Sequence, residues 1–219
     1  MGTMKTLVCI NSCEKDICSL GTLKESELYR KMDEDSNIRI IEVFSGGNII
    51  LFDGSRLVLS LEEQYDKLHR KTYEMIKYCV DNFSFERLVK LDSNILTYDK
   101  VGERTRRKLC GLDRVNRVIF KCKNMEYLGT FGRKFSSRLG YTHLRNKDME
   151  VSDENLGWFD KFSGEFFGGK CYGMSRAFAK FIASPDERVL AIVEQHDRVG
   201  LEDVMVGRLY EICGDTKNG

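Results

Sequence analysis

The clearest periodicity in the chain lies between Tyr65 and Leu96. Leu68, Thr72, Met75, Ile76 and Cys79 recur at three- and four-residue intervals, while Asp66, Lys67, Arg70 and Lys71 fall largely on the other side, which predicts an amphipathic helix. The run Arg87, Leu88, Val89, Lys90, Leu91 predicts a strand that ends on Asp92, Ser93 and Asn94 before Ile95 and Leu96 resume the apolar pattern. If strand geometry persists, Asp92 and Asn94 project the same way, because side chains alternate with period two. A polar triplet at the carboxyl end of a strand is where open α/β sheets hold ligands, and two oxygen-bearing side chains there suit a hard cation. Asp, Ser and Asn are also the commonest turn and cap residues, so the triplet alone fits a solvated turn equally well.

Elsewhere the pattern is shorter in range. Residues 6–10 predict a buried strand running into Asn11, Ser12 and Cys13. A helix is expected over 24–32, a strand over 38–44, a turn at Ser45, Gly46 and Gly47, and a strand over 57–59. The order strand, helix, strand, strand, helix, strand argues for an α/β sandwich whose strand ends collect at one edge, with Asn11, Ser12, Phe44, Ser45 and Asp92 as neighbours. The middle of the chain is basic and irregular, with Arg104, Arg106, Arg107, Lys108, Arg114 and Arg117 close together. Such a run reads as a solvated face, or as groups that position a pyrophosphate. Strands are expected over 118–122 and 126–128, and an aromatic cluster of Trp158, Phe159, Phe162, Phe166 and Phe167 follows. Gly168 and Gly169 then precede Ser175, which fits the N-cap of an alanine-rich helix through Phe181. A last helix opens at Gly200, with Glu202 and Asp203 in its first turn, where acidic residues also serve simply as dipole partners.

Composition narrows the possibilities. At 219 residues and 42% apolar content the chain suits one domain, expected over residues 4–213. Residues 1–3 read as a cloning remnant and 214–219 as a frayed tail or the start of a linker to a further domain. With 35 basic and 34 acidic side chains the net charge is +1, so no global field favours nucleic acid or an anionic membrane, and any phosphate binding must be local. Neither a membrane span nor a signal peptide is evident, which predicts a soluble, cytoplasmic protein. The 8 cysteines, at 9, 13, 18, 79, 110, 122, 171 and 213, show no zinc-like spacing and several sit in apolar runs, so reduced buried thiols are expected.

Taken in order, four motifs together resemble the β-1,3-galactosyltransferase (Fringe-like) family of GT-A glycosyltransferases. Tyr65, Leu68, Lys71 and Thr72 resemble the family's helix motif, and Lys90 with Asp92, Ser93 and Asn94 stands where its Asp-Asp-Asp triplet belongs. Gly169, Tyr172, Met174 and Ser175 look like its glycine-tyrosine-serine segment, and Glu202, Asp203 and Val204 like its final Glu-Asp-Val. The resemblance runs over roughly residues 5–210.

It implies a GT-A (nucleotide-diphospho-sugar transferase) fold, a central mixed, mostly parallel sheet flanked by helices. It further implies a nucleotide-sugar donor, usually UDP-linked, a glycan or glycoprotein acceptor, and a divalent cation, Mn2+ or Mg2+, that neutralises charge on the leaving diphosphate. By that resemblance Asn11, Ser12, Phe44 and Lys71 cradle the nucleotide, together with Asp92 and Ser93, while Gly168 and Gly169 approach the donor sugar. Asp92 and Asn94 would contact the metal, Trp158 and Glu202 the acceptor, and Asp203 would be the general base for inverting transfer. Three departures stand out. Asn94 puts a neutral amide where the family has a carboxylate, which predicts weaker metal binding. His69, His143 and His196 all precede Asp203, whereas the family's metal-binding histidine follows its last motif. The family's N-terminal arginine and tryptophan are missing too, with only Arg30 nearby. A catalytically silent nucleotide-sugar or glycan-binding module is the alternative. A nucleotidyltransferase ranks lower, since residues 11–15 contain no glycine to form a phosphate loop.

Overall fold

The computed structural model describes residues 4–64, 67–96, 112–121, 126–130, 132–134, 165–168, 170–198 and 200–215. Strand β1 (Met4–Asn11) is a nearly continuous apolar run, as a strand covered on both faces requires, and Leu7, Val8, Cys9 and Ile10 are all fully buried. After a short 3-10 turn, α1 (Ile17–Lys24) and α2 (Glu27–Glu34) replace the single helix expected over 24–32. The break falls at Ser26, whose hydroxyl accepts the Tyr29 N–H at 3.1 Å and so caps a new helix. Next come β2 (Ile38–Ser45), a short β3 (Leu51–Phe52) and β4 (Arg56–Leu59). Helix α3 (Leu68–Asn82) buries the face carrying Thr72, Met75, Ile76 and Cys79 and leads into β5 (Phe85–Asp92).

Beyond β5 lie α4 (Leu112–Asn116) and a π-helical turn, Arg117–Lys121. The strand expected over 118–122 is therefore corrected: residues 118–121 are helical, and Cys122 lies outside the described residues. A short apolar run does not distinguish strand from buried helix by period, and here Arg87 decides. Its guanidinium donates to the carbonyls of Val118 at 3.4 Å and Ile119 at 2.6 Å, groups that a ladder would otherwise use. Strands β6 (Tyr127–Gly129), β7 (Gly132–Lys134), β8 (Glu165–Phe167) and β9 (Cys171–Ser175) follow. Helices α5 (Arg176–Ile182), α6 (Glu187–Gln195) and α7 (Glu202–Asp215) complete the chain. Ser175 caps α5 as expected, its hydroxyl accepting the Phe178 N–H at 3.1 Å. The end of α7 includes Gly214 and Asp215, assigned above to the tail.

A seven-stranded sheet with order β3-β4-β2-β1-β5-β9-β6 forms the middle layer, and β7 pairs with β8 separately. Strands β1, β2, β4, β5 and β6 run one way, β3 and β9 the other. On one face Leu7, Cys9, Ile41, Val43 and Leu88 pack against Ile76, Phe178, Val193 and Leu209 from the helices α3, α5, α6 and α7. On the other, Val8, Ile10, Val89 and Leu91 meet Leu20, Leu23, Leu28 and Met32 from α1 and α2, with Val115, Val118 and Ile119. The protein is thus an α/β sandwich with a mixed sheet between two helical layers.

From β1 the chain moves sideways to β2, then returns to place β5 on the opposite side of β1. Connections leaving in opposite directions open a crevice at the carboxyl ends of β1 and β5, the place where open α/β sheets take ligands. Among the described residues no helix is long and apolar enough to cross a membrane. The six cysteines there, Cys9, Cys13, Cys18, Cys79, Cys171 and Cys213, are free thiols.

Candidate functional site

The crevice is lined by polar groups that the fold buries without pairing. Asn11 is 5% exposed, Ser12 3% and Ser93 1%. The backbone holds them in place, since the Ser93 N–H donates to the Asn11 carbonyl and the Ser12 N–H to the Val43 carbonyl, both at 2.9 Å. Yet the side-chain amide of Asn11 and the hydroxyls of Ser12 and Ser93 have no hydrogen-bond partner among the described residues. Leaving a buried polar group unpaired costs about 1–3 kcal/mol, so several in one crevice point to a polar ligand that satisfies them.

Lys71 closes one side. This residue of α3 is 3% exposed, and its ammonium donates to the Ser12 carbonyl at 2.6 Å and to the Glu63 carboxylate at 2.9 and 3.1 Å. Glu63 in turn accepts the Ser45 N–H at 3.0 Å and the Ser45 hydroxyl at 2.5 Å. Burial pulls the Lys71 ammonium below the usual lysine range, with Glu63 opposing. One connected chain of bonds therefore ties the ends of β1, β2 and α3 together. Beside it an open pocket of about 360 Å³ is lined by Gly46, Gly47, Asn48 and Leu61–Gln64. Gly46 makes the turn there with φ 111°, a conformation that favours glycine.

The other side is acidic, organised around one buried cation. Strand alternation puts Leu88, Lys90 and Asp92 on the face toward α3 and α7. Lys90 is fully buried, with its Nζ 2.5 Å from Asp92 Oδ1, 2.7 Å from Glu202 Oε1 and 5.6 Å from the centre of the Tyr172 ring. Thr72 donates its hydroxyl to Glu202 Oε2 at 2.5 Å. Burial alone would lower the Lys90 pKa, but the two carboxylates outweigh it and hold the ammonium protonated well above its ordinary range. Glu202 moves up, to about 7: burial is the main cause and Asp92 adds to it, while Lys90 and Thr72 oppose. The Tyr172 hydroxyl is buried with no partner among the described residues, and burial, with Glu202 next, raises its pKa. Asp203 is half-buried and accepts the Val204 N–H at 2.9 Å.

The expected site residues divide. Asn11, Ser12, Lys71, Asp92 and Ser93 meet at the crevice, with Glu202 behind Asp92. Phe44 turns to the opposite face, where it joins the α1–α2 core with the Arg56 guanidinium 4.9 Å from its ring centre. The strand stops at Asp92, and a turn follows in which the Ile95 N–H donates to the Asp92 carbonyl at 3.1 Å. Asn94 is thus placed by a turn and not by the pleat that would align it with Asp92. Gly168 lies just after β8, close in sequence to Lys170, whose carbonyl accepts the Asp92 N–H at 2.9 Å. Gly169, Trp158 and the arginines at 104, 106 and 107 lie outside the described residues, as does His143. His69 and His196 are fully buried, bonded to Asp197 at 2.7 Å and to the Ile192 carbonyl at 2.8 Å.

Lys90 and Thr72 belong to the resembling motifs but have no site role assigned from the sequence, and Glu63 lies outside those motifs. Lys90 carries a signal, because a lysine inside an otherwise apolar strand needs a buried counter-charge. Glu63 carries none, since its partners, Ser45 and Lys71, come from two separate elements.

The chain matches no protein-family model and no curated protein. Among the described residues no three His, Cys, Asp or Glu side chains converge. Asp92 keeps an outward side, 24% exposed, while Lys90 holds its other oxygen. One carboxylate fits a cation that brings phosphate and water oxygens with it, in the manner of magnesium sites, and does not fit an all-protein cage.

Proposed function

We propose that the protein is a GT-A glycosyltransferase that moves a sugar from a nucleotide-diphosphate donor, a UDP-sugar, to a hydroxyl of a saccharide or glycoprotein. The observation that carries this reading is the crevice at the β1 and β5 ends, where Asn11, Ser12 and Ser93 offer buried unpaired donors and acceptors beside the Lys71 ammonium. Those groups suit the ribose and phosphate oxygens of a nucleotide. Asp203 would take the proton of the acceptor hydroxyl as its oxygen attacks the anomeric carbon, while the bond from that carbon to the diphosphate oxygen breaks. A divalent cation held by Asp92, with Asn94 nearby, would neutralise charge on the departing diphosphate.

A second reading is a silent nucleotide-sugar-binding module. It is favoured by the Lys90 ammonium on Asp92 and by the neutral amide at Asn94. Calorimetric titration with a panel of UDP- and GDP-sugars, with and without manganese, separates the two. Binding of one donor that strengthens with metal supports the transferase. Saturable binding indifferent to metal supports the module, and absence of any binding sinks both.

A further inference from the structure

Glu202 and Asp203 open α7 side by side but meet different surroundings. Asp203 is half-buried, whereas Glu202 is 3% exposed with one carboxylate oxygen on Lys90 and the other on Thr72. A carboxylate that served only the helix dipole would stay in water, because burying an ion costs several kcal/mol unless it is paired. The bonds of Glu202 reach 130 residues back to α3 and 112 residues back to β5, so they join three elements that approach each other only in the folded protein.

We infer that Lys90 and Glu202 are positioning residues: the Lys90 ammonium holds Asp92 from behind, Glu202 anchors that ammonium and pins the first turn of α7, and this tie sets where Asp203 stands relative to Asp92. Both side chains are buried, Lys90 fully and Glu202 to 3% exposure, so they act through Asp92 and the first turn of α7. The roles given to Asp92 and Asp203 rest on the transferase reading, but the tie between them does not.

The tie is tested by thermal unfolding of D92N, E202Q and the double variant, in the native background and with Lys90→Met. Either single change leaves the ammonium one of these two carboxylates; the double change removes both from a buried cation. The double variant should therefore lose more than the sum of the singles, by at least about 3 °C in Tm. With Lys90→Met the two changes should add to within about 1 °C, as uncoupled sites do. If that variant does not fold, Lys90→Gln takes its place. Additivity in the native background overturns the inference.

The second arm reads the affinity for UDP-glucose, or for the tightest donor of the panel if that is another sugar nucleotide. Glu202→Ala should weaken it about tenfold through Asp92, while Glu202→Gln, which can still bond both Lys90 and Thr72, should keep it within about threefold. Equal affinity in both variants, or equal loss, overturns the positioning role. If no donor binds the native protein, the transferase reading falls and the unfolding cycle alone decides the tie.

Discussion

Asn11 and Asp92 face each other in register across the parallel β1 and β5 pair. Both therefore stand on rigid strands, and the spacing of the crevice does not depend on a loop. The Ser93 N–H donating to the Asn11 carbonyl extends that order one residue past the strand end, where the Ser93 side chain is again buried.

Ser93→Ala should separate stability from binding. The Ser93 hydroxyl has no partner among the described residues, so its removal relieves a buried unpaired group and leaves the backbone bond intact. Tm should stay level or rise, while the affinity for a sugar nucleotide falls roughly fivefold, about the worth of one hydrogen bond. A clear drop in Tm would mean that the hydroxyl serves the fold.

Glu202 should impose a slope on stability against pH. Its carboxyl sits at about 7 in the folded protein against an ordinary 4.5, so between those values the native state holds a proton that the unfolded state has released. Stability must then fall as pH rises from 4.5 to 7 and level off above. His196 works the other way: burial lowers its pKa from 6.5 to about 3, so its contribution is lost as pH falls through that range. Comparing urea midpoints of the native protein and Glu202→Gln cancels the histidine. The difference should favour the variant increasingly from pH 4.5 to 7. A constant difference would show that Glu202 ionises as an ordinary glutamate.

Arg87 should matter for the fold and not for the site. It is 9% exposed and donates to Thr6 Oγ1 at 2.8 Å as well as to the carbonyls of the π-helical turn. Arg87→Met keeps the stem but strands those acceptors, at a cost of about 2–4 kcal/mol by urea unfolding. A loss below about 1 kcal/mol would mean that water replaces the guanidinium readily.

Where one pattern dominates locally, the fold is legible in the sequence. The apolar run of β1, the helical spacing of α3 and the Ser175 cap all appear at the expected places, and the order of elements brings Asn11 and Asp92 together as anticipated. What escapes is decided by tertiary partners. Strand β9 contains Gly173 and follows two glycines, which weaken any local strand signal, and it is defined by pairing with β5 and β6 on either side. Helix α6, capped by the Asp186 carboxylate, was not anticipated either. The alternation that would align Asn94 with Asp92 ends because the chain turns at the strand end, where Ile95 N–H finds the Asp92 carbonyl. Lys90 is visible as an anomaly, but only the packing of α3 and α7 onto β5 shows which carboxylate answers it.

Asn94→Asp tests the metal side. A second carboxylate next to Asp92 should tighten manganese binding in the presence of a diphosphate about tenfold, because hard-cation affinity follows ligand charge. Electron paramagnetic resonance of free manganese reads this without any assay of transfer. Unchanged affinity would mean that the turn after Asp92 aims residue 94 elsewhere.

Asp203→Asn tests the chemistry itself. Asn is nearly isosteric and can still accept the Val204 N–H, so the first turn of α7 should hold and Glu202 should remain on Lys90. A group that removes a proton in the transition state contributes about 10²–10⁴-fold, so release of the nucleotide diphosphate in the presence of an acceptor should fall by that factor, with donor affinity within about twofold. Turnover that survives the change removes Asp203 as the base. Loss of donor binding together with turnover would assign the residue to holding the donor, because an interaction made only in the transition state leaves the ground-state complex unaffected.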